Sequence, residues 1–289
     1  MEIDVFGLPS PWRDDDAEYS SLVPAQSDTV RMQYFDEDEH VYKYLRSMEP
    51  VRAFIQAVER PFVETGSIER KRFTADEWAN VEVFRVQVAR LAQTARAFHA
   101  KVTINHVGFI QEELPGGTDY APLLTGATEE YPHLHTLKAA VPGKIFYDVC
   151  RGTDFPNMFI GSPPLESRLM PWLVEKLGLY GVLHWSFTAW AEQPYQDLQF
   201  RDWRFGDSFF VYPRSFEHLI FSSRYQWLFQ GIRGDEVMQI LKSPAKRREV
   251  QAVLDAMFRF EHHKAIYSSA LTDMQTVCSL QEDDYDRLW

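Results

Sequence analysis

Along most of the chain, short strand-like runs alternate with segments whose apolar residues recur every three or four positions. Strands and helices bury their faces with periods of 2 and 3.6 residues, so a chain that keeps switching between them fits helices laid on a largely parallel sheet. The strand-like runs are 2–6, 69–75, 101–107, 144–150 and 181–187, with "FFVYP" as a further candidate and "TVRMQYF" alternating as a strand would. Helical spacing is clearest in "NVEVFRVQVARLAQTARAFHA", through Val81, Phe84, Val88, Leu91, Ala92 and Ala95. It recurs in 38–66, through Val51, Phe54, Ile55 and Val58 with a closing Gly66. Further helices are expected in "YPHLHTLKAAVPG", in "PLESRLMPWLVEKLG" with its closing Gly178, and over about 215–243 and 245–270. The pattern predicts an α/β fold of the (β/α) TIM-barrel type, with residues 1–289 as a single domain. A complete barrel needs eight strands, more than are readable here, so it is expected to be incomplete at the N-terminus. An unpaired sheet edge would then invite self-association.

Composition narrows the chemistry. The net charge of −12 argues against nucleic acid or an anionic membrane as partner. No apolar run approaches the roughly 18 residues of a membrane span. The opening "MEIDVFGLPSPWRDDD" does not read as a signal peptide, so the chain as it stands reads as cytoplasmic and the compartment stays open. Cys150 and Cys278 cannot build a disulfide framework or a four-thiolate site. The histidine pairs His133/His135 and His262/His263 lack an H-E-x-x-H pattern or a third spaced ligand, so no metal is expected. No glycine-rich phosphate loop is present, and no cofactor is expected. Aromatic residues are abundant, with 21 Phe, 13 Tyr and 8 Trp, which suits either a sugar-binding cleft or a barrel core.

The stretch "RFTADEWAN" places Asp76 and Glu77 side by side where a strand gives way to a helix. With 42 acids in the chain, about six adjacent acid pairs arise by chance, so only context can make this one meaningful. Barrel enzymes carry their chemistry at the C-terminal ends of strands. Asp76-Glu77, Asn105-His106, Tyr147 and Trp185 all fall at or near such ends. Polar residues also end strands for structural reasons, and an acid pair at a helix N-terminus is favoured by the helix dipole.

Three stretches resemble glycoside hydrolase family 123 and the related domain of unknown function 4091. "FIQAVERPFVETGSIERKRF" followed by "ADEW" is similar to that family's helix, turn and strand ending in Asp-Glu-Pro. "FPNMFIGSPPLESRLMPWLVEKLGLYGVLHWSFTAW" resembles its Pro-Asn segment, Arg-bearing helix and "dGflyWgyn.W" strand. "GDSFFVYP" and "SSRYQWLFQGI" resemble "GDgflvYPg" and "SlRle.lrdGi". Order and spacing agree over 50–242. The chain departs from the family pattern at Trp78, where proline is usual, at Arg214, where glycine is usual, and at "RGDE", which replaces Asp-Tyr-Glu.

The resemblance implies a glycoside hydrolase domain: a retaining, substrate-assisted β-N-acetylhexosaminidase, most like a β-N-acetylgalactosaminidase. In such chemistry the substrate's own acetamide attacks the anomeric carbon, and the protein supplies no nucleophile. Asp76 would orient the acetamide and stabilise the oxazolinium-like intermediate. Glu77 would act as acid and then base, its pKa raised by burial and its neighbour. Asn105 and His106 would bond sugar hydroxyls or the acids, or form a satisfied structural pair. Tyr147 would contact the acetamide. Trp185 and Trp190 would form a floor under the sugar or pack in the core. Asp207 and Tyr212 would fix a loop over the cleft, and Arg168 would form a structural salt bridge. The rival expectation is a non-catalytic barrel remnant that binds glycan or packs against another chain.

Overall fold

The computed structural model describes residues 6–9, 32–45, 47–68, 71–75, 99–104, 110, 118–123, 131–150, 155–215, 218–240, 243–261 and 264–267. It divides into two compact units, one of residues 1–121 and 136–144, the other of residues 122–135 and 145–289. The helix expected over 81–95 lies outside the described residues, as do Asp76, Glu77, Asn105 and His106.

In the first unit, β1 (Phe6–Pro9), β4 (Lys71–Ala75), β5 (His99–Ile104) and β6 (Asp119–Pro122) form a four-stranded sheet in that order. β1 and β5 both run parallel to β4, with Leu8 opposite Phe73 and Phe73 opposite Ala100. All four residues from Lys101 to Ile104 are buried, so β5 is covered on both faces, as parallel strands usually are. Tyr120 N–H donates to the Lys144 carbonyl at 2.8 Å, and Lys144 N–H to Asp119 Oδ1, also at 2.8 Å.

The helix expected across 38–66 is shorter than the sequence pattern suggests. Residues 41–45 are instead β3 (Val41–Leu45), antiparallel to β2 (Met32–Asp36). The turn between them is fixed by Asp36 Oδ1, which accepts the Asp38 and Glu39 N–H groups at 3.1 and 3.0 Å. Alternation in "VYKYL" and this side-chain turn outweigh the helical spacing that continues downstream. α1 (Met48–Glu64) begins at Ser47 and buries Val51 and Ile55. It ends at Gly66, whose φ of 67° lets its N–H reach the Val63 carbonyl while Ser67 N–H reaches that of Phe62. α2 spans Tyr131–Ala140.

The second unit is centred on α3 (Leu165–Leu177), which buries Leu169, Met170, Trp172, Leu173 and Leu177. Gly178, at φ 60°, closes it in the same way as Gly66 closes α1. α3 packs against β8 (Val182–Leu183), α4 (Ser223–Ile240) and α5 (Pro244–Met257). β7 (Tyr147–Asp148) runs parallel to β8, and Leu123 bridges Asp148 in the same sense.

The helices expected over 215–243 and 245–270 give way to hairpins at their outer ends. β9 (Val211–Ser215) pairs antiparallel with β10 (His218–Phe221), and α4 starts only at Ser223. α5 stops at Met257, before β11 (Phe258–Glu261) turns back as β12 (Lys264–Tyr267). "HLIF" and "FRFE" are too short and too aromatic to extend a helical face, and they pair with a neighbouring strand instead. The "FFVYP" run is thus half of a hairpin. No helix among the described residues is long and apolar enough to cross a membrane.

Candidate functional site

The densest constellation of expected site residues lies in the second unit, just beyond the C-terminal end of β8. β7 and β8 are registered by Tyr147 N–H on the Gly181 carbonyl and Val149 N–H on that of Leu183, both 3.1 Å. This register delivers His184 and Trp185 beyond the strand end.

Segment 185–190 is stitched to segment 207–211 at three points. Trp185 Nε1 donates to Asp207 Oδ2 at 3.2 Å, the Ser208 hydroxyl to the Ala189 carbonyl at 2.6 Å, and Trp190 Nε1 to the Val211 carbonyl at 2.8 Å. Both tryptophan N–H groups are therefore spent on this loop, which leaves the indole faces as the features a ligand can use. The Trp185 ring stacks on Trp203 at 4.4 Å and 26°, with Phe200 tilted beside it at 5.9 Å. Phe187 stacks on the buried Phe210 at 4.4 Å and is itself 44% exposed. Tyr212 stacks on Tyr195 at 5.9 Å, and the Tyr195 hydroxyl donates to the Pro213 carbonyl. The result is an aromatic ledge of half-exposed rings with fixed orientations.

The electrostatics below the ledge centre on Asp207, which is buried. His184 Nε2 lies 3.6 Å from Asp207 Oδ1, and its ring nitrogens face the carbonyls of Val149 and Asp207. Burial pushes the His184 pKa down, against the opposing pull of the Asp207 charge and the two carbonyls. Tyr212 is pushed up, by burial first and by Tyr195, with Arg224 opposing. Arg224 holds the adjoining turn, donating from Nε to the Phe159 carbonyl at 2.9 Å and from Nη2 to that of Ile160 at 2.7 Å. Asn157 Oδ1 accepts the Phe159 N–H at 2.9 Å in the same turn.

The structure thus brings together Trp185, Trp190, Asp207 and Tyr212. It places Tyr147 elsewhere: fully buried, with its hydroxyl donated to the Met170 carbonyl of α3 at 2.6 Å. Arg168 lies with its guanidinium 5.3 Å over the Trp172 ring. Asp76 and Glu77 follow directly on β4, and Asn105 and His106 directly on β5, in the chain. Sequence reasoning missed His184, which stands next to Trp185, and Trp203, which lies between two family-like stretches. The high aromatic density of 195–205 was the available signal for Trp203. A surface cleft between α3, α4 and α5, lined by Glu175, Gln239, Arg247 and Gln251, sits among helix backs and not at a strand end. Among the described residues no group of three or more His, Cys, Asp or Glu side chains is placed to hold a metal.

The catalytic domain of glycoside hydrolase family 123 matches residues 1–241. The chain belongs to that family. The match takes in all but the last residue of the stretch, 50–242, that resembles the family by its motifs. Ten solved chains are similar to it. One is a family 123 glycoside hydrolase from Clostridium perfringens, whose glycolipid glycan hydrolysis has been analysed structurally. It is 16% identical with a TM-score of 0.62, over 89% of this chain and 49% of that one. At that identity the likeness carries the fold, and this chain spans about half the length of its relative. No curated protein matches the chain. The ledge around Trp185 presents flat apolar faces whose N–H groups are already satisfied.

Proposed function

We propose that this chain is a glycoside hydrolase acting on a carbohydrate with a terminal 2-acetamido sugar, as a retaining, substrate-assisted β-N-acetylhexosaminidase most like a β-N-acetylgalactosaminidase. The observation that carries the reading is that β4, parallel to both its neighbours, ends at Ala75, and the family-like Asp76-Glu77 pair follows it at once. On a (β/α) barrel, which we propose as the complete architecture, that is the end of the strand where chemistry is done.

In this reading Asp76 orients the acetamide and stabilises the positive charge of the oxazolinium-like intermediate. Glu77 protonates the leaving oxygen and afterwards takes a proton from water. Asn105 and His106 follow the neighbouring strand and bond sugar hydroxyls. Trp185 and Trp190 meet the sugar's apolar face, with Asp207 and Tyr212 fixing the loop that holds them. Membership of family 123 supports a carbohydrate substrate.

The test is a matched pair of chromogenic glycosides, a β-N-acetylgalactosaminide and the plain β-galactoside. Cleavage of the first and not the second is expected, because only the first carries the internal nucleophile. Equal cleavage of both would remove the substrate-assisted mechanism. Binding of N-acetylgalactosamine without any cleavage would make the chain a glycan-binding member of the family.

A further inference from the structure

We propose that His184 is a proton-dependent positioning residue for Trp185, acting through the carboxylate of Asp207. His184 Nδ1 lies 2.6 Å from the Val149 carbonyl oxygen, and Nε2 lies in hydrogen-bonding contact with the Asp207 carbonyl oxygen. Carbonyl oxygens only accept, and a neutral imidazole carries a single N–H. The neutral ring must therefore leave one nitrogen lone pair against a carbonyl lone pair. Only the imidazolium satisfies both contacts.

The counter-charge is already in place. Asp207 Oδ1 lies 3.6 Å from Nε2, with the His184 side chain 4% and that of Asp207 1% exposed. The other carboxylate oxygen, Oδ2, accepts the indole N–H of Trp185 at 3.2 Å. One carboxylate thus links the imidazole to the ledge. Among the described residues, Asp207 is the charged group acting on the ring. β8 contributes the chain segment that carries the ring, the residue after β7 offers the uncharged Val149 carbonyl, and the loop before β9 adds Phe210, edge-on at 4.9 Å.

The direction with pH follows. Burial lowers the affinity of His184 for its proton, so the second N–H forms on the acid side of histidine's usual range. As pH falls, both carbonyls are engaged and Asp207 is held against a positive ring, which fixes the acceptor of the Trp185 indole. As pH rises, one contact is given up and the carboxylate loses its partner charge. The consequence for sugar binding rests on the reading of Trp185 as a sugar platform. The coupling itself does not.

The experiment is a proton–nitrogen correlation titration of the full chain from about pH 5 to pH 8, the range in which histidine ordinarily titrates. The Trp185 indole signal is assigned by its loss in Trp185→Phe. It is expected to shift with the same midpoint as the His184 ring, and to lose that shift in His184→Gln. An indole signal that is indifferent to pH in the wild type would overturn the inference, and that measurement needs no variant. A shift that persists unchanged in His184→Gln would overturn it equally, by assigning the titration to a group other than His184. His184→Asn, smaller and likewise uncharged, serves if the glutamine variant does not fold. In parallel, N-acetylgalactosamine affinity is measured at both ends of the range. It is expected to be about fivefold tighter at the acid end in wild type, a typical coupling, and flat in the variant. A shared titration without sugar binding at any pH would leave the coupling standing and remove the platform reading.

Discussion

The Tyr147 hydroxyl donates to the Met170 carbonyl at 2.6 Å, tying β7 to the middle of α3 with both partners fully buried. Burial first, and then the negative charge of Asp235, push the phenol well above its ordinary pKa, so it stays a neutral donor. Tyr147→Phe should cost about 1 kcal/mol, the usual net worth of such a bond, read as a lower urea midpoint with an unchanged slope. A fall in kcat/KM with no change in the midpoint would return Tyr147 to the substrate.

Asp235 on α4 has its pKa pushed up to about 7, by burial first and then by the charge of Glu175. The native state therefore holds this proton more tightly than the unfolded chain, where the group titrates near 3.8. By linkage, the stabilisation is fully present below the unfolded value and is lost as pH rises toward about 7. Melting temperature should fall over that interval, and Asp235→Asn should flatten the profile. An equally steep decline in the variant would assign the effect to another group.

At Gly231 on α4, an added Cβ would stand 2.2 Å from the Arg168 carbonyl oxygen and 2.9 Å from its carbon, both backbone atoms of α3. The two helices must separate to admit a methyl group. Gly231→Ala should therefore destabilise by about 1–3 kcal/mol, on the scale of overpacking. Gly161 has nothing within 4 Å of such a Cβ, and Gly161→Ala should be close to neutral in the same thermal assay. Equal midpoints for the two variants would contradict the close approach of the helices.

Much of this architecture was legible in the residues, for reasons that also explain what was not. Gly66 and Gly178 announce helix ends because a left-handed residue is needed there, and their φ values of 67° and 60° meet that need. Trp185 and Asp207 each lie in a family-like stretch, but 22 residues apart in sequence nothing in either stretch says that the indole N–H meets the carboxylate. Tyr147 was readable as a strand residue, but a strand covered on both faces gives no period that says which way a side chain points. "VYKYL" is hard to tell from the helix behind it, because five residues are too few for the strand period to outweigh the helical spacing that follows. His184 carries no signal of its own. What distinguishes it is two carbonyls and a carboxylate brought together by the fold, none of which is adjacent to it in sequence.

The two acids that follow β4 can be separated by kinetics. In the proposed substrate-assisted cleavage they would act on different bonds, so leaving groups can tell them apart. Glu77→Gln removes the proton donor to the departing oxygen. Its loss should reach about 10²-fold or more for an alkyl or sugar leaving group, the scale of general acid catalysis. It should be smaller for nitrophenol, which departs as a stable anion. Asp76→Asn removes the charge that offsets the oxazolinium, whatever has left. Its loss should be about 10²-fold or more for both leaving groups, on the scale of electrostatic stabilisation. The measurement is kcat/KM for an aryl and a sugar N-acetylgalactosaminide with wild type and both variants. A leaving-group dependence in Asp76→Asn and none in Glu77→Gln would exchange the two roles. Full activity in both variants would reduce the pair to acids favoured by the dipole at a helix start.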